Sequence, residues 1–315
     1  MKISVLDRDS LGKDLPLDKL NQFGEVVVFP STANDEVISH ISNSEVILIN
    51  KVKITEEIMR SCENLRLICI FATGYDNVDV VSAKKLGIAV CNVPGYSTNS
   101  VALCTIATVL SLVTHLKEYN RYVTDGSYSA SGVPNKLDPV YHELTGKTWG
   151  IIGAGNIGKS VARVAEALGA RVIVNKRVAV PELNCVSIDT IAKDSDIITI
   201  HCPLNDGTRG LINEKLISLM KKDVIIVNEA RGAVVVDEDV VSAIKEGKIA
   251  GYGSDVYNVE PFGKDHPFYE IMSYDNVLLT PHFAWGAYES RLRCLNIVCE
   301  NIKAFISDEK LNRVD

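Results

Sequence analysis

The sequence predicts an α/β protein made of two doubly wound parallel sheets. Three observations predict it. Short β-branched runs alternate with helical stretches through the first 94 residues, and a second such series starts at residue 148. Within that second series a glycine-rich turn, Gly153-Ala154-Gly155-Asn156-Ile157-Gly158, stands between a strand and a helix.

Taken in order, the first series places strands at 3–6, 26–29, 46–49, 67–70 and 88–90. The stretch 101–113 is apolar on every side and reads as a buried helix that links two domains or packs at a subunit interface. Residues 125–139, rich in Gly, Ser, Pro and Asn, read as a long loop. The second series places strands at 148–153, 171–174, 197–201, 224–228, 249–254 and 277–280. A last helix over 287–306 keeps Leu292, Leu295, Val298, Cys299, Ile302 and Ile306 at helical spacing, and its apolar stripe could return to the first domain.

Composition narrows the function classes. At 315 residues and 46% hydrophobic content, the chain is long enough for about two domains. A formal charge of -7 argues against nucleic acid and anionic membranes as partners and leaves small molecules. The eight cysteines form no C-x-x-C pair, so neither a metal site nor a disulfide framework is expected, and a reducing cytoplasm fits best. The run 101–113 contains Thr105, Thr108 and Ser111 and is shorter than the ~18 residues a membrane span needs. The amino terminus reads as a first strand and not as a targeting signal.

The glycine turn carries the cofactor expectation. Gly153 allows a tight turn, Gly155 lets a pyrophosphate approach the backbone, and Gly158 permits close helix–strand packing. Asn156 and Ile157 open the helix whose N-terminus faces the phosphates. This is a Rossmann-like unit, with an adenosyl-dependent methyltransferase as its main competitor. About 20 residues beyond the glycines, where an acid would hold a ribose 2'-hydroxyl, the chain has Asn175-Lys176-Arg177. Two cations and an amide suit a 2'-phosphate, so NADP(H) is favoured and NAD(H) is the alternative.

Three later strand ends carry reactive side chains. Arg231 follows the strand at 224–228, Glu260 follows 249–254, and His282 follows 277–280. A carboxylate beside a histidine holds its proton and fixes its tautomer, while an arginine grips a carboxylate in a planar fork. Together with a dinucleotide loop these parts describe hydride transfer to a 2-oxo acid.

At these residues the chain resembles the D-isomer-specific 2-hydroxyacid dehydrogenases, most of all glycerate dehydrogenases and hydroxypyruvate reductases. The resemblance covers nearly the whole length and rests on Ala72-Thr73-Gly74-Tyr75-Asp76-Asn77-Val78-Asp79, Asn92-Val93-Pro94-Gly95-Tyr96-Ser97, Glu143-Leu144-Thr145-Gly146-Lys147-Thr148, the glycine turn, His201-Cys202-Pro203-Leu204 and the three catalytic segments. It implies a dinucleotide-binding domain at 100–281 inserted in a flavodoxin-like substrate domain made of 1–99 and 282–315, with catalysis in the cleft of a homodimeric enzyme. Arg231 would bind the substrate carboxylate, His282 would donate the proton and Glu260 would brace His282. Asp255 would hold the nicotinamide carboxamide, and His201, Cys202, Pro203, Thr208, Glu229 and Ala230 would line the cofactor. Lys51, Thr73, Gly74, Tyr75 and Trp285 would contact the substrate. Two positions depart from the pattern: Leu103 replaces a glutamate of many relatives, and Glu229 stands where Thr, Ser or Gly is usual.

A small, polar acid of the hydroxypyruvate or glyoxylate type is the expected substrate, with a larger 2-oxo acid as the alternative. Formate chemistry is disfavoured because a glutamate, not an amide, pairs with the histidine. A rival of another class is a dinucleotide-sensing, co-repressor-like scaffold on the same fold, and retention of all three reactive groups argues against it.

Overall fold

A parallel strand buried on both faces cannot alternate polar and apolar side chains, so it is written as a continuous apolar run. The computed structural model, which describes residues 1–178 and 182–315, has a strand at every run expected above, with ends that differ by two residues at most. The chain divides into two compact units, Met1–Ser97 with Gly286–Asp315, and Thr98–Trp285.

In chain order the first unit holds β1 (Lys2–Val5), β2 (Glu25–Val28), α1 (Val37–Ile41), β3 (Val46–Ile49), α2 (Glu56–Arg60), β4 (Leu67–Ile70), α3 (Val80–Leu86) and β5 (Ala89–Cys91). The second holds α4 (Thr98–Val113), α5 (Leu116–Thr124), α6 (Ser127–Ser131), β6 (Thr148–Ile152), α7 (Asn156–Ala167), β7 (Arg171–Asn175), α8 (Ile188–Asp194), β8 (Ile197–Ile200), α9 (Glu214–Ile217), β9 (Ile225–Asn228), α10 (Asp237–Lys245), β10 (Gly251–Ser254) and β11 (Val277–Leu279). The chain then returns to the first unit as α11 (Tyr288–Ile306).

The first sheet is parallel in the order β2-β1-β3-β4-β5. Its core gathers Leu6, Ile47, Ile49, Ile68 and Ile70. The returning α11 is tied to this unit by polar bonds: Asn301 Nδ2 donates to the Asn92 carbonyl at 3.0 Å, and Arg291 meets Asp14 at 2.6 Å.

The second sheet is parallel in the order β11-β10-β9-β8-β6-β7. Cys185 adds a single parallel bridge to Val174 of β7. Counting that bridge as a short strand, the order becomes 3-2-1-4-5-6 with β11 beyond, the dinucleotide-binding arrangement. Trp149 is fully buried and donates to Thr199 Oγ1 at 3.1 Å. The long α4 lies close on β10, where a Cβ at Gly253 would come within 2.4 Å of Thr108 Cγ2.

Two expectations need correction. His282, expected to begin the returning segment, belongs to the second unit, because the residues after it are bonded to Asp255 and Ser100 of that unit. The expected loop at 125–139 contains α6, which closes five residues between Gly126 and Gly132. On α4, expected to link the domains or to pack at a subunit interface, Leu103 is turned outward at 68% exposure. Among the described residues no single helix is long and apolar enough to cross a membrane.

Candidate active site

The glycine turn follows β6, at the carboxyl edge where the strand order reverses between β6 and β8. A Cβ at Gly153, whose φ is 97°, would sit 2.5 Å from the Cys202 nitrogen. One at Gly158 would sit 2.2 Å from the Gly153 carbonyl oxygen. Around Gly155, by contrast, a Cβ would meet nothing within 4 Å. Gly155 is the N-cap of α7 and supplies no side-chain cap, so the N–H groups of Asn156, Ile157 and Gly158 are left for an anion. The turn therefore fits a dinucleotide pyrophosphate.

The flanking cofactor candidates divide. Lys176 and Arg177 are exposed just past β7. Asn175 is engaged within the chain: its amide donates to the Val186 carbonyl at 3.0 Å. After β8, burial pushes the His201 imidazole down to about 3, so the ring is neutral, and it pushes the Cys202 thiol up to about 11. Thr208 shapes the loop after Pro203, donating to its carbonyl at 2.7 Å and accepting the Asn205 N–H at 2.9 Å.

The reactive residues come from the ends of β9, β10 and β11, which are neighbours in the sheet. His282 Nδ1–H donates to Glu260 Oε2 at 2.6 Å. The second oxygen of Glu260 accepts the Tyr257 N–H at 2.9 Å, and the Tyr257 hydroxyl donates to the Thr280 carbonyl at 2.7 Å. Arg231 begins a 3-10 turn, Gly232–Val234, that lies flush on the Glu260 loop: a Cβ at Gly232 would be 2.0 Å from the Tyr257 carbonyl carbon. These contacts bring the turn that bears Arg231 against the loop that braces His282.

Asp255 is 2% exposed and holds the histidine loop from below. Its oxygens accept the Thr280 hydroxyl at 2.7 Å and the N–H groups of Phe283 and Ala284 at 3.0 and 2.9 Å. Trp285 Nε1 donates to the His282 carbonyl at 2.9 Å, so it also steadies this loop. His282 itself adopts φ 51°, a left-handed backbone that a histidine tolerates when such bonds fix it.

Beside them, Ala230 and Glu229 are buried. The Ala230 N–H donates to Asn228 Oδ1 at 3.1 Å. Burial, with the Asp255 charge adding to it, pushes the Glu229 carboxyl up to about 9.

In the first unit, Lys51 follows β3 while Thr73, Gly74 and Tyr75 follow β4. The Thr73 hydroxyl donates to the Val93 carbonyl at 2.8 Å, and Tyr75 is exposed. Sequence reasoning missed Asp7, whose buried carboxylate accepts the N–H groups of Asn50, Lys51 and Val52. Burial pushes the Asp7 carboxyl up, and those three donors pull it part of the way back. Also missed was Asp237, which accepts from Asn258 Nδ2 at 2.7 Å and so pins the Glu260 loop near its start. An acid two residues past a strand was the available signal for Asp7; Asp237 left none.

Comparison with known proteins agrees with this geometry. Residues 106–284 match the family described as D-isomer specific 2-hydroxyacid dehydrogenase, NAD binding domain. A hydroxypyruvate reductase of Blautia hydrogenotrophica is 37% identical, with all of both chains covered. A glycerate dehydrogenase of Methylorubrum extorquens is 33% identical, covering 100% of this chain and 99% of its own. Among solved structures, an acyclic imino acid reductase in complex with NADPH and D-Arg superposes with a TM-score of 0.87 at 31% identity, covering 100% of each chain.

Proposed function

The chain belongs to the D-isomer specific 2-hydroxyacid dehydrogenase family, and on that premise we propose that it reduces small 2-oxo acids of the hydroxypyruvate and glyoxylate type to D-2-hydroxy acids, with NADP(H) preferred over NAD(H). The observation that carries the reading is the 2.6 Å bond between His282 and Glu260 beside the Arg231 turn. When bound, the reduced nicotinamide supplies the hydride. Arg231 grips the substrate carboxylate and polarises the neighbouring carbonyl. Glu260 holds the proton on His282 Nδ1 and sets the ring's direction, which leaves Nε2 as the atom that hands a proton to the carbonyl oxygen.

Relatives that act on hydroxypyruvate and glycerate support the small substrate. The exposed cations Lys176 and Arg177 support a 2'-phosphate. Exposed apolar side chains Leu116, Val123, Val140 and Tyr141 support a second copy of the chain as their cover, in a homodimer. Eight free thiols suit a reducing cytoplasm.

The test is a panel of 2-oxo acids assayed with NADPH and NADH side by side, on material whose sedimentation is also measured. The expected result is a dimer with its highest kcat/KM for hydroxypyruvate or glyoxylate with NADPH. Lys176→Asp combined with Arg177→Ala should move that preference to NADH. No oxidation of either dinucleotide by any 2-oxo acid would remove the activity, a monomer would remove the dimer, and unchanged NADPH efficiency in the double variant would remove the basis for selectivity.

A further inference from the structure

Glu229 is 8% exposed and lies at the carboxyl end of β9, between the His201-Cys202 turn after β8 and Asp255 after β10. Its Oε2 is shielded from solvent and has no hydrogen-bond partner among the described residues. A buried polar atom left unpaired is costly, and such an atom at a binding edge points to a ligand that pairs it. The titratable groups around it are Asp255, Cys104 on α4, Tyr257 and, on the neighbouring turn, Cys202 and the neutral His201. None is a cation that could hold it as a carboxylate.

The sheet order identifies what reaches this edge. With the 2'-phosphate cations past β7 and the pyrophosphate turn past β6, the dinucleotide proposed above runs across β8 toward β9 and β10, so its nicotinamide end meets Glu229. Strands about 4.8 Å apart put β9 roughly 10 Å from β6, within the reach of a nicotinamide riboside. Resting on that reading of the cofactor, we infer that the Glu229 side chain recognises the primary carboxamide of the nicotinamide ring, donating one hydrogen bond and accepting another. The pairing is complementary: a protonated carboxyl offers O–H and C=O side by side, and a carboxamide offers C=O and N–H in the same plane. Burial and Asp255 together keep Glu229 protonated well above neutral pH, which supplies the donor.

The experiment separates the ring from the rest of the cofactor. NADPH or NADH binding is followed by fluorescence, and binding of the matching ring-free compound, 2'-phospho-ADP-ribose or ADP-ribose, by calorimetry. Glu229→Met should weaken the dinucleotide about tenfold and leave the ring-free compound unchanged, while Glu229→Gln, which keeps a donor and an acceptor, should restore affinity. Wild-type affinity for the reduced dinucleotide should also fall as pH rises past about 9, and that of Glu229→Gln should not. The last two readings serve even if the Met variant does not fold. Equal loss for both compounds, no loss in Glu229→Met, failure of Glu229→Gln, or a flat wild-type pH profile would overturn the inference. A protein that binds dinucleotide in this pattern but reduces no 2-oxo acid would instead overturn the activity and leave the Glu229 role standing.

Discussion

The two units use the same strand-order reversal to opposite ends. In the first, the reversal lies between β1 and β3, and Asp7 plugs it: the donors of Asn50, Lys51 and Val52 all point at the protein's own carboxylate. In the second it lies between β6 and β8, where Gly155 leaves open space and α7 starts without a side-chain cap. A shared sheet topology therefore does not assign a ligand; what fills the backbone donors does.

Substitutions at the two reversals should break this comparison in different currencies. Asp7→Ala orphans the N–H groups of Asn50, Lys51 and Val52, two of them buried, and should cost about 3 kcal/mol of stability, seen as a lower midpoint in denaturant, without altering dinucleotide affinity. An unchanged midpoint would mean that the plug is not structural. Gly155→Ala places a Cβ where the turn leaves open space, with nothing within 4 Å. It should weaken dinucleotide binding about 100-fold, near 3 kcal/mol, while melting close to wild type. Wild-type affinity in that variant would show that the turn does not seat the cofactor.

The smallest effect has the opposite sign. Folding keeps a proton on Glu229 up to about 9, whereas the unfolded chain releases it above its ordinary value near 4.5. The folded state thus binds more protons between those values, and stability falls as pH rises from about 4.5 toward 9. Glu229→Gln removes this penalty and should stabilise the ligand-free protein at pH 7 by at most about 3 kcal/mol, with the gain vanishing near pH 4.5. Burial raises both carboxyls, but Asp7 is met by three backbone donors while Glu229 Oε2 has none among the described residues, and that difference separates plug from binding group. Equal melting of Glu229→Gln and wild type across that range would erase it.

The strands were legible because burial on both faces writes β3 and β4 as unbroken apolar runs, and β8 and β9 as runs with one polar residue each. Arg231, Glu260 and His282 were legible for another reason: each is a reactive polar residue in the segment that follows a strand at the ligand edge. The supports were not. Asp255 reaches residues 25 to 29 positions away, and Asp7 reaches 43 to 45 away, through bonds between a side chain and distant backbone that leave no local pattern. The same long-range bonds moved His282 into the second unit. Glu229 was visible as an unusual residue, but its burial and its unpaired oxygen depend on neighbouring strand ends and on α4.

The central claim is that the histidine braced by Glu260 hands over the proton after the dinucleotide has bound independently. Single-turnover oxidation of enzyme-bound NADPH by hydroxypyruvate, measured in His282→Ala beside wild type, tests it directly. The expected rate in the variant is lower by about 10²–10⁴-fold, with the dinucleotide dissociation constant unchanged. A wild-type rate in the variant would contradict it.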